Sequence, residues 1–182
     1  MKKITFANGT EFTVEKPSLK DFMRLFDLWE QRKSTSSLFD EVLKYVTYPS
    51  KEDARKFLTK YLGSLYPLCT SIFKYCGTEL ADTCLVEELD DDKIKFIVDN
   101  EVFCFRRPNF VEMDLLINEL NKSDVISAEM CNKLLHMTLV KSNADAKSQL
   151  ANFLEQYPFM VVHIGRQIFT KCMISAEFIA GE

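Results

Sequence analysis

A chain of 182 residues can form one domain or two small ones, and 47% apolar against 27% charged residues, with only 5 Gly and 5 Pro, is the composition of an ordered, helix-rich soluble protein. The net charge of -4, with no concentration of Lys and Arg in either half, argues against nucleic acid as a partner, because phosphate contacts need a dense basic surface. The six cysteines (Cys69, Cys76, Cys84, Cys104, Cys131 and Cys172) contain no C-x-x-C pair, which removes a zinc site or disulfide framework and leaves buried or partly buried free thiols in a reducing compartment.

The chain opens on a β-hairpin: Ile4, Phe6, Phe12 and Val14 alternate with polar residues around Asn8-Gly9, a strong turn signal. Met1-Lys2-Lys3 leads straight into this alternation, so no signal peptide is expected. Pro17 closes the hairpin, and Ser18-x-x-Asp21 is a capping box for a helix with the inward stripe Leu19, Phe22, Leu25, Phe26 and Trp29. Met23 and Leu28 widen this stripe, as packing between modules or a partner groove would require. A polar break from Lys33 to Ser37 precedes a short helix ending near Thr47. Ser50-x-x-Asp53 then caps a helix with Phe57, Leu58, Tyr61, Leu62 and Leu65, and Tyr66-Pro67 starts a last helix that Gly77 stops.

The pattern then returns. Pro17 recurs as Pro108, Thr47 as Thr138 and Tyr66-Pro67 as Tyr157-Pro158, all 91 residues later. Small slips extend the match: Ile4 and Phe6 pair with Ile94 and Phe96, and Ser50, Asp53 and Ala54 with Ser142, Asp145 and Ala146. The second hairpin runs through Ile94, Phe96 and Val98, turns at Asp99-Asn100, and continues from Val102 to Phe105. Asn109-x-x-Glu112 caps a helix with the stripe Phe110, Met113, Leu116, Ile117 and Leu120, widened by Val111 and Leu115. After the break Lys122 to Ser127, a helix ends near Thr138, Ser142-x-x-Asp145 caps another carrying Leu150, Phe153, Leu154 and Tyr157, and a final helix continues through Ile164, Ile168, Cys172 and Ala176. Phe159 to Ile179 is the most apolar stretch, yet His163, Arg166, Gln167, Lys171 and Glu177 make it a core helix rather than a membrane span.

A period this long is a domain and not a solenoid unit, so the expected fold is α+β and helix-rich, with two related modules, each a β-hairpin followed by about four helices. The modules are placed at residues 1–86 and 93–182, joined by the acidic run 87–92 as a solvated linker. Nucleophile elbow, H-E-x-x-H, P-loop and G-x-G-x-x-G patterns are all missing, and no cofactor or metal is expected. His136 corresponds to Tyr45 in the first module, which favours amphipathic filling over catalysis. Arg106-Arg107 reads as a solvated pair or an anion contact.

The hairpin ending in Phe105-Arg106-Arg107-Pro108, the helix start from Val46 to Asp53 and the closing Tyr-Pro helix resemble tail assembly chaperones of tailed bacteriophages over nearly the whole chain. The departure is the duplication, since one such module per chain is the expectation for that family. The resemblance implies a non-enzymatic protein of the host cell cytoplasm that keeps the apolar tape-measure protein soluble while tail-tube subunits gather on it, with homo-oligomer formation open. The alternative is a permanent structural subunit of the phage tail or baseplate, located in the virion. Aromatic and Met residues favour protein surfaces as partners over membrane or nucleic acid. From the residues themselves, the contact candidates are Met23, Leu28, Val111, Leu115, Phe178 and Ile179.

Overall fold

The computed structural model describes residues 1–31, 35–89, 92–123, 125–140 and 145–179, with 122–123 and 173–179 described by their backbone alone. The fold is α+β, with two three-stranded antiparallel sheets, each followed by helices. The chain divides into two compact units, Met1–Thr78 and Glu79–Glu182.

In the first unit, β1 (Lys2–Thr5) and β2 (Glu11–Val14) pair with Ile4 opposite Phe12, and Gly9 takes the positive φ of 82° that the turn requires. Helix α1 (Leu19–Gln31) follows Pro17, and Ser18 Oγ accepts the Asp21 N–H at 3.2 Å while donating to the Asp21 carboxylate. Helix α2 (Thr35–Val42) begins inside the expected polar break, of which 33 and 34 lie outside the described residues. Thr47 does not end a helix. It lies in β3 (Val46–Tyr48), which pairs with β2, because two β-branched residues and a tyrosine ahead of Pro49 favour extended backbone. Helix α3 (Lys51–Lys60) is capped by Ser50, whose hydroxyl accepts the Asp53 N–H at 3.0 Å. Tyr61 and Leu62, expected on that helix, fall beyond its end and are exposed, while Leu65 starts α4 (Leu65–Tyr75) after a 3₁₀ turn. Past the end of α4, Gly77 takes a φ of 103°. The core joins Phe12 and Val14 to Phe22, Leu25, Leu58, Leu68 and Ile72, all fully buried. Phe73 of α4 lies edge-on to Phe22 and Trp29 of α1, with ring centroids 5.7 and 5.3 Å away.

The division falls within the short α5 (Thr78–Ala81), of which residues from Glu79 on belong to the second unit. The acidic run expected as a linker at 87–92 is placed differently: Leu85–Leu89 form strand β4, paired with β5 (Lys93–Val98), while 90 and 91 lie outside the described residues. Edge position resolves the like-charge problem, since Glu87 and Glu88 stay in water and meet cations, Lys95 at 2.9 Å and the ammonium of Lys171. The division between units therefore falls earlier, at Thr78/Glu79. Strand β6 (Glu101–Arg106) pairs with β5 across a two-residue turn, Asp99 and Asn100 both having positive φ. Helices α6 (Phe110–Ser123), α7 (Ala128–Thr138), α8 (Ala146–Gln156) and α9 (Phe159–Ile179) follow. Ser142 of the expected fourth capping box lies outside the described residues, and α8 begins directly after Asp145. α6 extends through Ser123 into the second expected break, and Ser127 caps α7.

The two units are similar, with differences at the sheet edges. A single bridge, Phe105 to Leu139, stands where β3 pairs with β2 in the first unit, with the Val140 N–H donating to the Cys104 carbonyl at 2.8 Å. Phe96 and Phe105 hold the sheet side of the core, and Leu134, Leu150, Leu154, Ile164 and Ile168 hold the helix side. Gly165 lets α9 approach α7 closely.

Candidate protein-binding surface

The second unit concentrates its exposed apolar side chains on α6. Its first turn is held by both arms of a capping box: the Glu112 N–H donates to Asn109 Oδ1 and the Asn109 N–H to Glu112 Oε2, each at 2.9 Å. Arg106, at the exit of β6, clamps the same carboxylate through two nitrogens at 2.7 and 2.6 Å and also donates to the Met137 carbonyl at 3.0 Å. That guanidinium, followed by burial acting the other way, keeps the Glu112 carboxyl below its ordinary titration range. Arg107 faces Asp92 at 3.4 Å and Glu88 at 3.9 Å. The basic pair therefore fastens the strand exit to its surroundings.

Beyond this rigid start the helix is sparsely covered. Among the described side chains of α6 only Leu116 is buried, and the expected inward stripe fails at Phe110, 86% exposed, and Ile117, 36% exposed. Val111 and Leu115 are 66% and 59% exposed, one helical turn apart on the same side. Periodicity predicted a helix correctly but could not say how much of its apolar girdle the unit covers.

Comparison with the first unit shows what changed. At the 91-residue offset, Val111 stands for Lys20 and Leu115 for Arg24. Arg24 Nε lies 2.9 Å from the carboxylate of Glu41, a residue only 2% exposed that also accepts from Lys44 at 2.9 Å and from the Tyr45 hydroxyl at 3.1 Å. Burial, then the neighbouring Glu41, raises the Tyr45 phenol well above its ordinary value. In the second unit Glu41 is replaced by Asn132 and Tyr45 by His136, and the Asn132 Oδ1 is buried without a hydrogen-bond partner among the described residues. An ionic fastening on one module is thus an apolar, open face on the other.

The remaining candidates are distributed differently. Met23 and Leu28 are half-buried on α1, in the first unit. Phe178 and Ile179 fall within α9, but their side chains lie outside the described residues. A cleft of about 470 Å³ lined by Leu120, Val125, Ile126, Arg166 and Thr170 opens beside the C-terminal half of α6. A cleft of about 510 Å³ in the first unit is lined by Trp29, Tyr66, Pro67 and Thr70, of which Trp29 alone is equivalent to a lining residue of the other, Leu120.

Burial acts on several of the thiols and on one histidine. Burial pushes the Cys69 and Cys76 thiols up to about 12 and raises Cys84 and Cys172, favouring the unreactive thiol form. His136 is exposed; burial lowers the half-buried His163, against a smaller opposing pull from Asp82. Among the described residues no group of three or more His, Cys, Asp or Glu is placed to hold a metal ion, and no helix is long and apolar enough to cross a membrane. No family model matches the chain, and neither a curated protein nor a solved structure matches it.

Proposed function

We propose that the chain is a non-enzymatic assembly chaperone or scaffold for tail proteins of a tailed bacteriophage, acting in the host cell cytoplasm by covering apolar helices of the tape-measure and tail-tube proteins. The observation that supports this most is the α6 face, where Val111 and Leu115 replace the charged Lys20 and Arg24 of the sister module and lie exposed with Phe110 and Ile117. An apolar helix face of this kind suits the helix-on-helix recognition that a client of extended amphipathic helices requires. Covering an exposed Val or Leu contributes roughly 1.5–3 kcal/mol, enough for a few such anchors to hold a client reversibly. The sequence resemblance points the same way.

The test is recovery of the tagged chain from infected cells and mass spectrometry of what it retains, compared with the proteins of finished particles. The expected result is a very long helical protein bound to the chain, lost on Val111→Lys/Leu115→Arg, with the chain missing from particles. Presence in particles at fixed stoichiometry would instead make it a structural subunit of the tail or baseplate.

A further inference from the structure

The two sheets differ at one edge. In the second unit β5 has β6 on one side and β4 on the other, whereas among the described residues β1, its counterpart, has only β2. The equivalence is residue by residue: Ile4 and Phe6 match Ile94 and Phe96, and Phe12 and Val14 match Phe103 and Phe105. Because the Phe6 N–H donates to the Thr10 carbonyl at 2.9 Å, the alternation of the ladder turns the N–H and C=O of Lys3 and Thr5 toward the open edge. Their counterparts Lys93 and Lys95 are the β5 residues that stand opposite Leu89 and Glu87 of β4. Covering differs accordingly. Ile94 and Phe96 are 1% and 0% exposed, while Ile4 and Phe6 remain half-exposed.

We propose that the outer edge of β1 receives an extended segment of a partner protein carrying both apolar and acidic residues as an antiparallel fourth strand, in the manner in which β4 completes the second sheet. The internal repeat supplies the template: a segment of the β4 type, Leu-Val-Glu-Glu-Leu, sets its valine opposite Phe6 and its second glutamate opposite Ile4. Charge fits this occupant, since Lys2 and Lys3 flank the edge; Lys2 lies over the Tyr75 ring at 5.9 Å, and Lys3 faces Glu11 at 3.4 Å in an exposed pair. Pairing of β1 with β1 of a second copy is disfavoured, because it brings two lysines from each copy onto one short ladder. This edge lies in the first unit, and the inference stands apart from the α6 surface and from the identity of its client.

The probe is a fluorescein-labelled peptide containing Leu-Val-Glu-Glu-Leu between soluble linkers, titrated onto the full chain and read by anisotropy, with amide exchange at Lys3 and Thr5 followed in parallel. Saturable binding that slows exchange at both amides is expected. Replacing the two peptide glutamates by lysine weakens it about tenfold. Thr5→Pro removes the outward donor while the inward ladder of Ile4 and Phe6 remains, so binding weakens by about tenfold or more with the circular dichroism unchanged. The proposal is overturned if the peptide does not bind, if Thr5→Pro binds it equally well, or if the chain alone forms an oligomer that Thr5→Pro dissociates, which would give the edge to a second copy. If Thr5→Pro unfolds the chain, protection of the Lys3 and Thr5 amides in the wild type decides in its place.

Discussion

Gly165 lies on α9 where that helix meets α7. A β-carbon built there comes within 2.5 Å of Cys131 Cβ, 2.9 Å of its Cα and 3.0 Å of its Sγ. Non-bonded carbons rest about 3.5–4.0 Å apart, so Gly165→Ala requires the two helices to separate locally by about 1 Å. Two of the three atoms are the Cα and Cβ of Cys131, which no change of rotamer moves. Leu134 and Leu135 of α7 and Val161, Ile164 and Ile168 of α9 are buried around this contact, so separation also loosens their packing. Overpacking of this kind costs about 1–3 kcal/mol, and the gain in helix propensity from glycine to alanine offsets about 1 kcal/mol. Because the contacts at 2.5 and 2.9 Å are with atoms fixed to the backbone, the cost falls in the upper part of that range, about 2–3 kcal/mol, and the net expectation is a loss of about 1–2 kcal/mol, or roughly 5–10 °C in Tm for a unit of this size. Urea titration of the full chain, with α9 amide exchange assigning the loss to the second unit, measures it. Gly63→Ala is the control, since nothing lies within 4 Å of a β-carbon there, and it should lose nothing. A Gly165→Ala chain as stable as the wild type would refute the close approach.

Asn109→Ala should destabilise the second unit by about 1 kcal/mol in urea titration, because the Glu112 N–H loses its acceptor while the Arg106 clamp remains. Leu115→Arg, which restores the residue type of the sister module, should leave stability within about 0.5 kcal/mol, since Leu115 is largely in water, yet weaken client retention in pull-downs. Arg24→Leu should cost about 1–2 kcal/mol on the same assay, because it withdraws one of the two cations from the buried Glu41 while Lys44 and the Tyr45 hydroxyl stay in place. Burial holds His163 below its ordinary value of 6.5, so in the range beneath that value the unfolded chain binds the proton first. Its contribution is full above pH 6.5 and is lost as pH falls toward the folded value; His163→Gln should flatten urea midpoints compared between about pH 7.5 and about pH 5.

Much of this fold is legible in the sequence because local chemistry decides it. Asn8-Gly9 and Asp99-Asn100 demand the positive φ values found there, and Ser18, Ser50 and Asn109 each accept the amide three residues on. Where tertiary pairing decides, the reading failed. Glu87 and Glu88 look like solvated linker until β5 supplies a ladder and Lys95 a counter-charge. The three-residue β3 is too short to show an alternation, and its counterpart shrinks to the single bridge at Leu139. For the surface, Val111 and Leu115 stood out as surplus apolar residues, but Phe110 and Ile117 joined the core stripe because periodicity records which side chains share a face and not what covers it. The missed signal was available: the exchange of Lys20 and Arg24 for Val111 and Leu115 is visible in the repeat itself.

The buried carboxylate of Glu41 also constrains the order in which the two copies diverged. A carboxylate that is 2% exposed and held by Arg24 and Lys44 is strongly destabilising once its cations are gone, and the second copy has Leu115, Leu135 and Asn132 at the three positions. If the ancestor resembled the first copy, a history in which the acid becomes an amide before both cations are lost avoids a buried charge with no cation beside it. If it resembled the second, the same condition is met when a cation arrives before the acid. The Glu41→Asn chain is therefore the milder intermediate between the two present-day faces, and the chain that keeps Glu41 but lacks both Arg24 and Lys44 is the costly one.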